Sequence, residues 1–92
     1  MARLDDDART EFLAEHPDWR LDGEVIARTF TFADFKAAMA FTVEVAMTAE
    51  VADHHPDIDI RWNKVTLRLT THSEGALTAT DVALAAEADR LA

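Results

Sequence analysis

Val65-Thr66-Leu67-Arg68-Leu69-Thr70, residues 65–70, alternates apolar and polar side chains without a break. Successive residues of a strand point to opposite faces, so Val65, Leu67 and Leu69 share one side and Thr66, Arg68 and Thr70 the other. A strand that is apolar on one side only belongs to a sheet with one covered and one open face. This points to an antiparallel sheet with its helices gathered on the covered side.

Working outward, Ile58 to Trp62 is a third strand-like segment, joined to residues 65–70 by a turn at Asn63-Lys64. Trp19 to Asp22 and Glu24 to Phe32 form an earlier pair, with Asp22-Gly23 as the hairpin-turn signal between them. Asp5 to His16 reads as a short helix with Asp5, Asp6 and Asp7 at its positive end, stopped by Pro17. His16, at that helix end, is expected in a capping or surface role. Residues 34–53 hold no Gly or Pro and are rich in Ala and Met, which predicts a helix of about five turns. Thr31 to Asp34 has the spacing of a capping box at its start, and Thr78 to Asp81 repeats that spacing before a last helix. His54 to Asp57 and Ser73 to Gly75 are loops. The expected order is α-β-β-α-β-β-α: one α+β domain over residues 1–92, with a single four-stranded antiparallel sheet and three helices mainly on one face.

In the long helix, Phe35, Met39, Thr42, Ala46 and Glu50 recur at spacings of three or four and predict one face. Phe41, Val45, Met47 and Val51 widen the apolar surface beyond one stripe. A helix apolar on most sides of so small a domain needs cover on two sides, which predicts self-association through it.

The net charge of −9 argues against nucleic acid or an anionic membrane as the main partner, because both select clustered Lys and Arg. With no cysteine there is no disulfide framework, thiolate metal site or cysteine nucleophile. The acidic N-terminus does not read as a secretory signal, and no apolar stretch approaches the ~20 residues of a membrane span. A soluble, cytoplasmic protein is expected.

The remaining candidates for chemistry are histidines. His54 and His55 follow the long helix, His72 ends the last strand, and Asp81 and Glu50 lie on the helices nearby. Three readings are open. A metal site is disfavoured because the H-E-x-x-H spacing is absent and adjacent histidines diverge in most loops. A structural reading makes them loop imidazoles, with Asp81 only a helix cap. The third is cofactor-free general acid–base catalysis, for which imidazole is suited near neutral pH.

Ala49-Glu50, His54-His55-Pro56, Trp62-Asn63-Lys64-Val65, Leu69-Thr70-Thr71-His72 and Leu77-Thr78 with Asp81 together resemble the pterin-4a-carbinolamine dehydratase family. Phe32, Asp34-Phe35 and Phe41 are similar to that family's upstream pattern, and Trp19 falls where its members tend to keep a tryptophan. Trp62 stands where tyrosine is usual, and the 73–76 loop has one glycine where pairs are common. The resemblance implies dehydration of 4a-hydroxytetrahydrobiopterin to quinonoid dihydropterin in tetrahydrobiopterin recycling, with no cofactor and no metal. It assigns His54, His55, His72 and Asp81 to catalysis and Glu50, Pro56 and Trp19 to substrate binding. His54 and His72 are expected as acid–base groups, with His55 positioning the pterin. It further implies a homodimer or homotetramer and a functional link to an aromatic amino acid hydroxylase. A non-catalytic binding, dimerisation or assembly protein on the same fold is the alternative.

Overall fold

The alternating segment becomes an inner strand of a four-stranded sheet. The computed structural model describes residues 2–92. Its elements are α1 (Asp6–Glu15), β1 (Arg20–Asp22), β2 (Val25–Thr31), α2 (Phe35–Ala52), β3 (Asp57–Arg61), β4 (Lys64–Leu69) and α3 (Ala79–Leu91), with a single 3-10 turn at His72–Glu74. The α+β order is the expected one. The strands lie β1-β2-β4-β3, each antiparallel to its neighbour. β2 and β3 therefore run parallel on either side of β4, and α2 is the crossover that such a pair requires.

Register places Ile26 opposite Leu69 and Phe30 opposite Val65, and Val65 also faces Ile60 of β3. These residues line the covered face. Against them pack Phe12 of α1, Phe41, Val45 and Ala49 of α2, and Leu84, Ala85 and Ala88 of α3. Thr29, Thr66 and Arg68 lie on the open face, where the Thr29 and Thr66 hydroxyls meet at 2.8 Å.

Both hairpins turn one residue away from the expected place. The first turns at Gly23-Glu24, with Gly23 at φ 61°, and the second at Trp62-Asn63, with Trp62 at φ 51°. A one-residue slip would flip Ile60 off the core side, so pairing fixes the turn. Asn63 is held apart from the left-handed position because it staples the hairpin to Phe32. Its carbonyl accepts from the Phe32 N–H at 2.9 Å, and its side-chain amide donates to the Phe32 carbonyl at 2.8 Å.

The N-cap of α2 is Asp34, whose carboxylate accepts from the Ala37 N–H at 2.8 Å. Thr31 does not cap it, because that residue is still paired with Lys64 in the sheet. The buried face of α2 is Ala38, Phe41, Thr42, Val45 and Ala49, rotated from the expected face, of which only Thr42 is buried. Phe35, Val43, Met47 and Val51 are exposed, and with Met39 they form an apolar ridge at four-residue spacing.

Two polar ties hold the end of the molecule formed by α1. Asp89 of α3 accepts from the Trp19 indole at 2.9 Å, from Arg28 at 2.6 Å, and contacts His16 Nδ1 at 2.7 Å. The buried Arg9 of α1 donates to both Glu24 carboxylate oxygens, at 3.0 and 2.6 Å. Glu24 also accepts from Arg3 at 3.2 Å and from the Leu77 N–H at 3.1 Å. The Arg9 hydrogen bonds outweigh partial burial and lower the Glu24 carboxyl from 4.5 to about 2. A carboxyl lowered on folding stabilises the fold above its unfolded value near 4.5, and that contribution is lost as pH falls toward 2. Glu24→Gln is expected to lower the thermal midpoint at pH 7, with the gap to wild type narrowing between pH 4.5 and 2. A gap constant across that window would contradict this account of Glu24.

Candidate active site

α2 ends at Asp53, which takes the left-handed conformation at φ 51°. Its N–H bonds back to the carbonyls of Ala49 and Glu50, and the His54 N–H bonds to Ala49 at 3.0 Å. This sharp reversal brings His54 and His55 directly under the last turn of α2. Pro56, just before β3, fixes its own φ and favours extended backbone at His55.

From the other side, β4 runs into Thr70 and Thr71. Thr71 pairs with Ala76 through backbone bonds of 3.0 and 3.4 Å, closing a small loop that carries His72. Gly75 turns this loop at φ 60°, a conformation that costs glycine little. The chain then enters α3 at Thr78, its N-cap, with Asp81 completing a capping box. The cap therefore places Asp81 behind the loop of His54.

Asp81 is 0% exposed and contacts His54 Nε2 through Oδ1 at 2.5 Å. Its Oδ2 accepts from the Thr71 hydroxyl at 2.8 Å and from the Thr78 N–H at 2.9 Å. One proton lies between Nε2 of His54 and Oδ1 of Asp81, so Nδ1 is the ring nitrogen left for another partner. His55 Nε2 meets Glu50 Oε2 at 2.8 Å, but both side chains are more than half exposed. That pair is an oriented surface contact, whereas His54–Asp81 is an internal one.

Asp53, His54, His55, Thr70, Thr71, His72 and Ser73 line one cleft of about 230 Å³. The fold thus gathers the three expected histidines, with Asp81 behind one and Glu50 beside another. Pro56 shapes the loop but does not line the cleft. Trp19 is elsewhere: it is buried against Phe12 and Phe30 and bonded to Asp89, a core position and not a pocket wall. Another groove, of about 260 Å³ between α1 and α3, is lined chiefly by apolar residues such as Phe12, Val82 and Ala86. Among the described residues, no group of three or more His, Cys, Asp or Glu side chains is arranged to hold a metal ion.

Sequence reasoning gave no role to Thr71, Thr70, Ser73 or Asp53. Thr71 had a signal, since it precedes His72 at the end of an alternating strand and has the hydroxyl that a buried carboxylate needs. The contrast between the two histidine pairs is measurable by unfolding in denaturant. His54→Ala removes a donor from a buried carboxylate and should destabilise the protein by about 2 kcal/mol. His55→Ala breaks an exposed pair and should cost about 0.5 kcal/mol or less. Equal losses would contradict this distinction.

Residues 2–91 match the sequence pattern of the family described as pterin 4 alpha carbinolamine dehydratase. A protein of Chloroflexus aurantiacus named "Putative pterin-4-alpha-carbinolamine dehydratase" is 54% identical over 91 residues, covering 99% of this chain and 98% of that one. A protein of the same name from Thermomicrobium roseum is 50% identical over 92 residues, covering 100% and 99%. Among solved structures, a transcriptional coactivator/pterin dehydratase from Brucella melitensis superposes with a TM-score of 0.93 at 35% identity, covering 99% of both chains. A pterin dehydratase-like protein described as a RuBisCO assembly factor in the alpha-carboxysome reaches 0.69 at 26% identity, covering 80% of this chain and 88% of that one.

Proposed function

We propose that this chain, which belongs to the pterin 4 alpha carbinolamine dehydratase family, is a cytoplasmic dehydratase acting on 4a-hydroxytetrahydrobiopterin. The observation that carries this reading is the buried His54–Asp81 pair, opening into a cleft that His55 and His72 also line. The reaction breaks the C4a–O bond, and the departing oxygen takes a proton to leave as water. The N5 proton is lost, and a C4a–N5 double bond forms. No electrons pass to or from an outside partner, so one acid and one base suffice. His54, anchored through Nε2, takes up and returns a substrate proton at Nδ1. His72 is the other acid–base group. His55, oriented by Glu50, positions the ring. A positioned imidazole is worth roughly 10²–10⁴-fold for each proton transfer. The product is quinonoid dihydropterin, which places the step in tetrahydrobiopterin recycling downstream of an aromatic amino acid hydroxylase.

The apolar ridge of Phe35, Met39, Val43, Met47 and Val51 supports association into a homodimer or homotetramer through α2. Met47→Asp should shift the mass in solution, measured by light scattering, from oligomer toward monomer. A wild-type monomer would remove this part of the reading.

The likeness to the RuBisCO assembly factor favours a second reading, a non-catalytic assembly or binding protein on the same fold. Three histidines gathered in one cleft, one of them paired with a buried carboxylate, support the enzyme over that role. The test is to generate the carbinolamine enzymatically and follow quinonoid dihydropterin by absorbance. The wild-type protein should accelerate its appearance, and His55→Ala should lose most of that acceleration while remaining folded. Formation at the spontaneous rate with the wild-type protein would sink the dehydratase reading.

A further inference from the structure

We infer that Thr71 is a positioning residue for this proton transfer. Its hydroxyl, oriented by Thr78, fixes the Asp81 carboxylate so that His54 is held with its proton on Nε2 and its lone pair on Nδ1. The inference rests on the dehydratase reading for its catalytic consequence, but its structural basis is independent.

Thr71 Oγ1 lies 2.8 Å from Asp81 Oδ2 and 2.7 Å from Thr78 Oγ1. An ionised carboxylate only accepts, so Thr71 must donate its one proton to Asp81. Thr71 must then accept from the Thr78 hydroxyl. The Asp81 N–H meanwhile bonds to the Thr78 carbonyl at 3.1 Å, leaving the Thr78 hydroxyl proton for Thr71. Thr78 and Asp81 are fully buried, and Thr71, in the cleft wall, is 9% exposed, so bulk water is a poor substitute for a missing partner. Every hydrogen in the chain Thr78–Thr71–Asp81–His54 therefore has one direction. Both donors from this side converge on Oδ2, leaving Oδ1 aimed at His54 Nε2.

Without the Thr71 hydroxyl, Oδ2 keeps only a backbone donor, and the Thr78 hydroxyl loses its acceptor. The carboxylate can then rotate about its bond, and the two neutral forms of His54 approach each other in energy. A side chain of the same shape without the hydroxyl would preserve packing and lose this control, which separates positioning from simple filling of space.

The experiment compares wild type, Thr71→Val and Thr71→Ser. The ring nitrogens of His54 are read by long-range proton–nitrogen NMR without substrate, and kcat and KM are read with enzymatically generated carbinolamine. Wild type should show a protonated Nε2 and a bare Nδ1. Thr71→Val should show averaged nitrogen shifts and a kcat lower by about tenfold, with KM within about twofold. Thr71→Ser should restore both. Unchanged His54 shifts in Thr71→Val, or a Thr71→Ser variant no better than Thr71→Val, would overturn the inference. Should Thr71→Val fail to fold, the wild-type hydroxyl protons decide. Slow exchange of the Thr71 and Thr78 hydroxyls supports the directed chain, and exchange at the rate of a surface threonine overturns it. A wild-type protein without activity would defeat the dehydratase reading alone, because the nitrogen spectrum needs no substrate.

Discussion

A carboxylate with no exposure to solvent constrains this molecule more than any other group. An ionised carboxylate removed from water is costly unless its oxygens find donors. Asp81 finds them in three places: the loop after α2, the end of β4, and its own helix cap. Satisfying one residue therefore draws together segments that are far apart in the chain. The cleft forms where they meet, so its position follows from the needs of a buried acid.

The sheet prepares this meeting. β4 lies between β2 and β3, so its end projects from the middle of the sheet and not from an edge. α2 crosses over the covered face and stops above that end. Asp53, in the left-handed conformation, lets His54 follow the last helical turn without a longer loop. A non-glycine residue held there carries a cost of about 1 kcal/mol, offset by the hydrogen bonds on either side of it.

Much of this was legible in the residues. The alternation at 65–70 announced a sheet with one open face, and Thr78 to Asp81 announced a capped helix. The residues single out the histidines, Asp81 and Glu50 as candidates, but only the resemblance to a family gives them roles, because periodicity says where a strand runs and not which loops converge. The errors have local causes. Both turns lie one residue from the expected place because core register, with Ile60 opposite the buried Val65, outranks the preference of Asn for left-handed positions. The buried face of α2 differs from the expected one because apolar residues surround much of the helix, and pattern alone cannot tell the core side from an exposed ridge. Trp19 is expected at the pocket only through the family resemblance, which places a tryptophan there without saying what surrounds it. Its indole instead needed an acceptor inside the core and found Asp89, which lies 70 residues away in sequence.

The proposed chemistry requires the reacting edge of a pterin to meet His54 Nδ1 and His72 in the cleft. The most direct measurement is a crystal structure with 7,8-dihydrobiopterin, a stable pterin lacking the 4a-hydroxyl. The account predicts the ring in the cleft between residues 53–55 and 70–73, with its C4a–N5 edge about 3 Å from His54 Nδ1 and from His72. A ring seated in the α1–α3 groove, or in the cleft with that edge turned away from both histidines, would contradict it.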